Sequence, residues 1–226
     1  MTFEEIISYL EENKSETNIE GMKRFGIYAE NAYGMSAPML KSLAKKIGKN
    51  HPLALKLWDY GYHDTRILAG LVDDARLVTR KQMEKWAKQF DNWAICDSTC
   101  GYLFDKVAGA SDIAIEWTER KEEFVKRAGF VIITWKSVHD KKCSDEIFFD
   151  FFRIIKREAN DERRYVMKAV NWALRQIGKR NALLQAAAIQ EAEEIYKMGT
   201  KSAKWIASDA LRELQDKNTR IRNIGL

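Results

Sequence analysis

The sequence predicts an all-α chain whose helices stack as antiparallel pairs, and three observations carry that expectation. Only two prolines occur, Pro38 and Pro52, and each stands where a helix would begin, so nothing breaks a helix internally. Almost no segment alternates apolar and polar residues with the period of two that a half-buried strand requires. Helices of similar character recur around an alanine: Arg66-Ile67-Leu68-Ala69, Val125-Lys126-Arg127-Ala128, Val166-Met167-Lys168-Ala169 and Lys204-Trp205-Ile206-Ala207.

The elements follow in order. Thr2 with Glu5 reads as a capping box ahead of Phe3, Ile6, Ile7 and Leu10, whose spacing makes a helical stripe. Ser36 with Pro38 opens a helix carrying Met39, Leu40, Leu43, Ala44 and Ile47, and Gly48 ends it. Further helices are expected over 52–60, 64–74, 79–90, 92–107, 111–118, 121–138, 144–158, 162–177, 181–197 and 200–215, with short polar punctuation between them. The recurrent alanines are separated by 59, 41 and 38 positions, and the last two spacings approximate the length of a paired-helix HEAT-type repeat. The fold class expected is therefore an α-solenoid of HEAT-like antiparallel helical repeats with a concave basic face. No linker or low-complexity tract divides the chain, so residues 1–216 are expected to form one repeat domain. Residues 217–226 read as a basic tail, disordered in part.

Composition narrows the function classes. A chain of 226 residues with 46% hydrophobic content is long enough to bury a sizeable core. No stretch approaches the roughly 20 uncharged apolar residues that a membrane span needs, and the amino terminus lacks a signal-like basic and apolar run, so a cytoplasmic, membrane-free protein is expected. The odd count of three cysteines argues against a disulfide framework, and His51, His63 and His139 are too scattered for a zinc site. No metal and no cofactor are expected.

The net charge of +5 and a pI near 9.0 lean toward a polyanionic partner. Basic residues gather at Lys41, Lys45, Lys46 and Lys49, at Arg163, Arg164, Lys168, Arg175, Lys179 and Arg180, and at Lys201, Lys204, Lys217, Arg220 and Arg222. Taken singly, each cluster reads better as a solvated helix face paired with some of the 33 acidic residues.

The run Asp91-Asn92-Trp93-Ala94-Ile95-Cys96-Asp97 is the chemically pointed one. Its four-residue spacing sets the indole of Trp93 and the carboxylate of Asp97 on one helix face. Arg127 and Trp172 lie downstream on two other expected helices. A carboxylate between indole faces, with a guanidinium nearby, suits a cationic, electron-poor ligand held against a phosphate backbone. Each residue also has an ordinary explanation: tryptophans are largely buried on average, Asp97 could be a surface acid, and Arg127 could pair with Glu123.

These residues resemble the AlkD-like DNA alkylation repair glycosylases, a family built from HEAT-like repeats. The likeness runs through Tyr33-Gly34-Met35-Ser36-Ala37-Pro38-Met39-Leu40-Lys41, Asn92-Trp93 to Asp97, Lys126-Arg127-Ala128, and Lys168-Ala169 to Trp172-Ala173-Leu174-Arg175. The resemblance implies that Asp97 is the catalytic carboxylate, that Trp93 and Trp172 flank the lesion nucleotide, and that Arg127 contacts the nearby backbone. Arg175, Lys136 and Lys168 are expected to bind DNA beside it. The implied reaction is hydrolysis of the N-glycosidic bond of N3- or N7-alkylated purines in duplex DNA by a monofunctional glycosylase that works as a monomer, with the lesion largely stacked.

The chemistry agrees on its own terms. An alkylated purine is already cationic and a good leaving group, so the main task is to stabilise an oxocarbenium-like sugar, which an ionised carboxylate does. Some positions depart from the family pattern. Ala94 stands where relatives often carry a second aromatic, Trp135-Lys136 lies one position from an expected phosphate-contacting lysine, and Phe25 replaces a tyrosine. Two alternatives stand beside this reading: a non-catalytic binder of damaged or branched DNA, and a protein-interaction scaffold whose concave side is apolar.

Overall fold

The helix boundaries of this chain are set by side chains that accept the first free backbone N–H groups. Thr2 and Glu5 form a reciprocal capping box at 3.2 and 2.8 Å. Ser15, Asn50, Thr79, Asn92, Asn181 and Thr200 each accept from a backbone N–H in the first turn of the helix that follows. The computed structural model describes residues 1–224 and contains, among them, thirteen α-helices and no strand.

The described residues divide into two compact units, one spanning Met1–Ala108 and the other starting at Gly109. The amino-terminal unit holds α1 (Phe3–Glu12), α2 (Glu16–Lys23), α3 (Ala37–Ile47), α4 (His51–Tyr60), α5 (His63–Val72), α6 (Arg80–Ala87) and α7 (Trp93–Tyr102), with a 3-10 turn at Phe104–Lys106. The carboxy-terminal unit holds α8 (Ala110–Trp117), α9 (Glu123–His139), α10 (Glu146–Glu158), α11 (Arg164–Gly178), α12 (Ala182–Lys197) and α13 (Lys201–Leu214). Consecutive helices pack as hairpins, α4 on α5, α8 on α9 and α12 on α13. No helix among the described residues is long and apolar enough to cross a membrane.

Apolar burial supplies the bulk of each core. In the first unit Trp58 and Trp86 stack face to face at 4.0 Å, with Phe90 and Phe104 against them. In the second, Phe130, Val131, Phe148, Phe151, Val170 and Leu174 are fully buried. Close packing extends to the backbone at Gly129, where an added Cβ would lie 2.7 Å from the carbonyl oxygen of Ala114, so α9 can sit on α8 only with glycine there.

Buried charges fix what apolar packing leaves loose. Asp64, 1% exposed, accepts from the backbone N–H groups of Tyr33 at 2.6 Å and Met35 at 2.7 Å, and so fastens the irregular segment before α3 to the start of α5. Between those two bonds Gly34 adopts φ +75°, and a Cβ there would meet the carbonyl oxygen of Ser15 at 2.5 Å. Asp73 joins α4 and α6 by pairing with His51 at 2.6 Å and accepting from Gln82 Nε2 at 2.6 Å. In the second unit Arg180 is fully buried. Its guanidinium donates to Asp145 Oδ1 and to the carbonyls of Ser137, Asp140 and Cys143, and lies 4.8 Å from the centre of the Phe148 ring.

The described part of the tail runs back along the end of α11. Arg222 N–H donates to the Lys179 carbonyl and Ile224 N–H to the Arg180 carbonyl, both at 2.9 Å, because the end of α11 offers carbonyls that no helical turn uses. Residues 225 and 226 of the expected tail lie outside the described residues.

Two stability predictions follow from the buried charges. Arg180→Gln leaves Asp145 Oδ1 and several carbonyls without their guanidinium donor, although Asn181 Nδ2 still reaches Asp145 Oδ2, and should lower unfolding free energy by about 3–5 kcal/mol in urea titrations. Asp64→Asn keeps the side-chain volume but sets an amide N–H against a backbone N–H. It should speed hydrogen exchange at Tyr33 and Met35 by the equivalent of about 1.5–3 kcal/mol, and unchanged exchange would refute the fastening role.

Candidate functional site

The start of α7 builds the site in the first unit. Asn92 Oδ1 accepts from Ala94 N at 3.0 Å and Ile95 N at 3.1 Å, which orients the amide and turns Nδ2 toward Asp91 Oδ1 at 2.7 Å and His63 Nδ1 at 3.4 Å. Trp93 is therefore the first residue of the helix. Its indole N–H donates to the Phe25 carbonyl at 3.0 Å, pinning the segment after α2 against α7. Asp97 follows one turn later on the same face.

Both half-buried side chains line a cleft of about 280 Å³. Its apolar wall comes from Met22, Met35, Leu40, Ile67 and Leu71, and its polar groups are Lys41, His63, Asp97, Ser98 and Tyr102. The Lys41 ammonium lies 5.4 Å from the centre of the Tyr102 ring, within cation–π range. Burial pushes the pKa of His63 below its usual value, opposed by the charges of Asp64 and Asp91. It is therefore neutral at pH 7. Because Asn92 Nδ2 is a donor, the hydrogen-bond pattern assigns Nδ1 of His63 as acceptor and its proton to Nε2. A second recess of about 440 Å³, walled by Phe25, Ile27 and Gly34 among others, shares Met22, Met35 and Trp93 with the cleft.

Neighbouring groups are better read as packing. Cys96 and Cys100 are buried thiols outside any disulfide. Burial first, then the adjoining Cys96 and the charges of Asp97 and Asp105, push the Cys100 thiol well above its usual range, which keeps it from acting as a nucleophile. Among the described residues no three His, Cys, Asp or Glu side chains form a group that could hold a metal ion.

The remaining candidates from the sequence sit on α9 and α11 of the second unit. Trp172 is half-buried and meets Trp135 edge-on at 5.6 Å, while Trp135 stacks on His139 at 4.7 Å. Arg127 is 6% exposed and donates to the Tyr165 carbonyl at 2.6 Å. Lys136 pairs with Asp140 at 3.0 Å, and Arg175 pairs with Glu213 and lies 3.6 Å from Asp209. Lys168 is exposed, with no ion-pair partner among the described residues. The first unit thus brings together Trp93 and Asp97, and adds Lys41, His63 and Tyr102, which sequence reasoning had not placed beside them. Only Lys41 carried a sequence signal, as part of a basic cluster and of the family-like run ahead of α3.

Comparisons with known proteins agree with this architecture. Among curated proteins none matches the sequence. One similar solved structure is described as a new family of proteins related to the HEAT-like repeat DNA glycosylases with affinity for branched DNA structures. It superposes with a TM-score of 0.79 at 20% sequence identity, over 94% of this chain and 95% of the other, so the all-α fold is of the HEAT-like repeat type. A family profile described as DNA alkylation repair enzyme matches residues 6–214. The chain belongs to the DNA alkylation repair enzyme family.

Proposed function

We propose that this protein binds duplex DNA and hydrolyses the N-glycosidic bond of cationic N3- or N7-alkylated purines. The observation that carries the reading is the pairing of Asp97 with Trp93 on the α7 face that lines one cleft. A fixed carboxylate stabilises positive charge as it develops on the deoxyribose, and it accepts the proton of the water that adds to C1′. The C1′–N electron pair leaves with the purine, which departs neutral because alkylation had already made it cationic. No general acid is required.

The roles of the other residues follow from their surroundings. Trp93, oriented by its bond to the Phe25 carbonyl, offers an aromatic face to the cationic base, and the half-buried Trp172 of the carboxy-terminal unit is a second aromatic group of this reading. Lys168 is exposed and suits a phosphate contact, and Lys136 and Arg175 suit phosphate contacts once exchanged from their carboxylate partners. Arg127 is buried against Tyr165, which gives it a supporting part in this reading: it holds α9 to the first turn of α11.

One observation favours a second reading, non-catalytic binding of branched DNA: the solved structure of like fold belongs to a family with that affinity. The two readings separate in one assay. Wild-type protein incubated with methylated duplex DNA should release alkylpurine detectable by chromatography, and Asp97→Asn should lower the rate by about 10²–10³-fold. Equal rates would end the assignment of Asp97, whereas no release by wild type, with tighter binding to a four-way junction than to linear duplex, would establish the second reading. Trp93→Ala should lower kcat/KM for cationic bases by about 2- to 30-fold, the kinetic equivalent of about 0.5–2 kcal/mol, and Trp93→Phe by less.

A further inference from the structure

The segment after α13 closes a basic recess in the carboxy-terminal unit. Besides its two backbone bonds to the end of α11, it is held by Asn181 Nδ2, which donates to the Ile224 carbonyl at 2.7 Å. The recess measures about 1060 Å³, and its charged lining among the described residues is Lys141, Lys179, Arg220 and Arg222, with no carboxylate among them. Lys179 is neutralised by Glu213. Lys141 and Arg220 are exposed and have no ion-pair partner among the described residues.

Arg222 is the group that points to a ligand. Its two terminal nitrogens donate to Gln176, one to the side-chain oxygen at 2.8 Å and the other to the carbonyl, both neutral acceptors. Its Nε is buried without a hydrogen-bond partner. Burial first, and then repulsion from Arg180, disfavour its charge, and no carboxylate of the described residues acts to offset them. Arg180 beside it has Asp145; among the described residues Arg222 has no such counterion. A partly buried guanidinium with neutral partners and an unused N–H is costly until an anion completes it. The cations also come from three separate places, the loop after α9, the end of α11 and the tail, a spread that suits successive phosphates better than one small ion.

We propose that this recess seats the phosphodiester backbone of a DNA segment through Lys141, Arg220 and Arg222, as a docking site of the carboxy-terminal unit. The inference rests on DNA being the partner and not on base excision. Its test is equilibrium binding of the full chain to a linear duplex and to a four-way junction from about 50 to about 200 mM salt. Lys141→Gln with Arg220→Gln should reduce the steepness of log K against log salt by about two, one for each lost phosphate contact. Lys56→Gln with Lys81→Gln, an equal loss of charge in the other unit, should leave the slope unchanged. Equal slopes for all three proteins, or equal losses in both double variants, would overturn the docking site. Stabilisation by inorganic phosphate with an unaltered DNA slope would overturn it too, by assigning the recess to a free anion. Arg222→Gln should lower the slope by about one, and if it unfolds the chain, the exposed pair still decides. Base release by wild type, measured alongside, keeps the two proposals apart: no release with a reduced variant slope removes excision and leaves docking, and release with an unreduced slope does the reverse.

Discussion

The cleft at the start of α7 depends on one buried carboxylate. Asp64 turns both oxygens onto the backbone of Tyr33 and Met35, and that pair of bonds decides where Met35, Ser36 and the first turn of α3 lie relative to α5. Without it, the stretch between α2 and α3 has few backbone bonds of its own, because it is neither helix nor strand. The second unit solves the same difficulty with the opposite sign. Arg180 collects the carbonyls of the α9–α10 connection, and Asp145 balances its charge. In both places a charge is tolerated in the interior because backbone dipoles surround it.

The distribution of the remaining charges explains why a basic chain is not uniformly adhesive toward anions. Lys126 is buried between Glu158 and Asp161, and Arg175 and Lys179 share Glu213. Burial pushes the Asp161 carboxyl up, but Arg163 and Lys126 hold it down to about 2, so that carboxylate is ionised across the ordinary pH range. Cations committed in this manner organise helices; those that remain for a polyanion are fewer than the composition suggests.

Most of the architecture was legible in the sequence because helix ends are local chemistry. Thr2 with Glu5, Asn92, Asn181 and Thr200 announce helix starts through bonds that span three residues or fewer, and the two prolines stand in first turns. The helix at Glu16–Lys23 was missed because its apolar residues make no continuous stripe and none of its side chains is buried. The placement of Trp93 and Asp97 on one face was likewise readable from spacing. The company they keep was not. His63 and Lys41 reach the cleft through packing of α5 against α7 and of α3 against α5, contacts between residues dozens of positions apart that leave no periodic trace. Nor does a sequence reveal that Arg127 is turned inward onto Tyr165, since its neighbours on α9 include both buried and half-exposed side chains.

The partition between the cleft and its neighbouring recess consists of Met22, Met35 and the Trp93 ring. Thioether chains are unbranched and change rotamer at small cost, whereas the indole is tethered by its N–H. Such a wall is compliant on one side of a fixed plate, so volume gained in either chamber is drawn from the other. Either chamber can change volume by side-chain rearrangement alone, with the helices standing still.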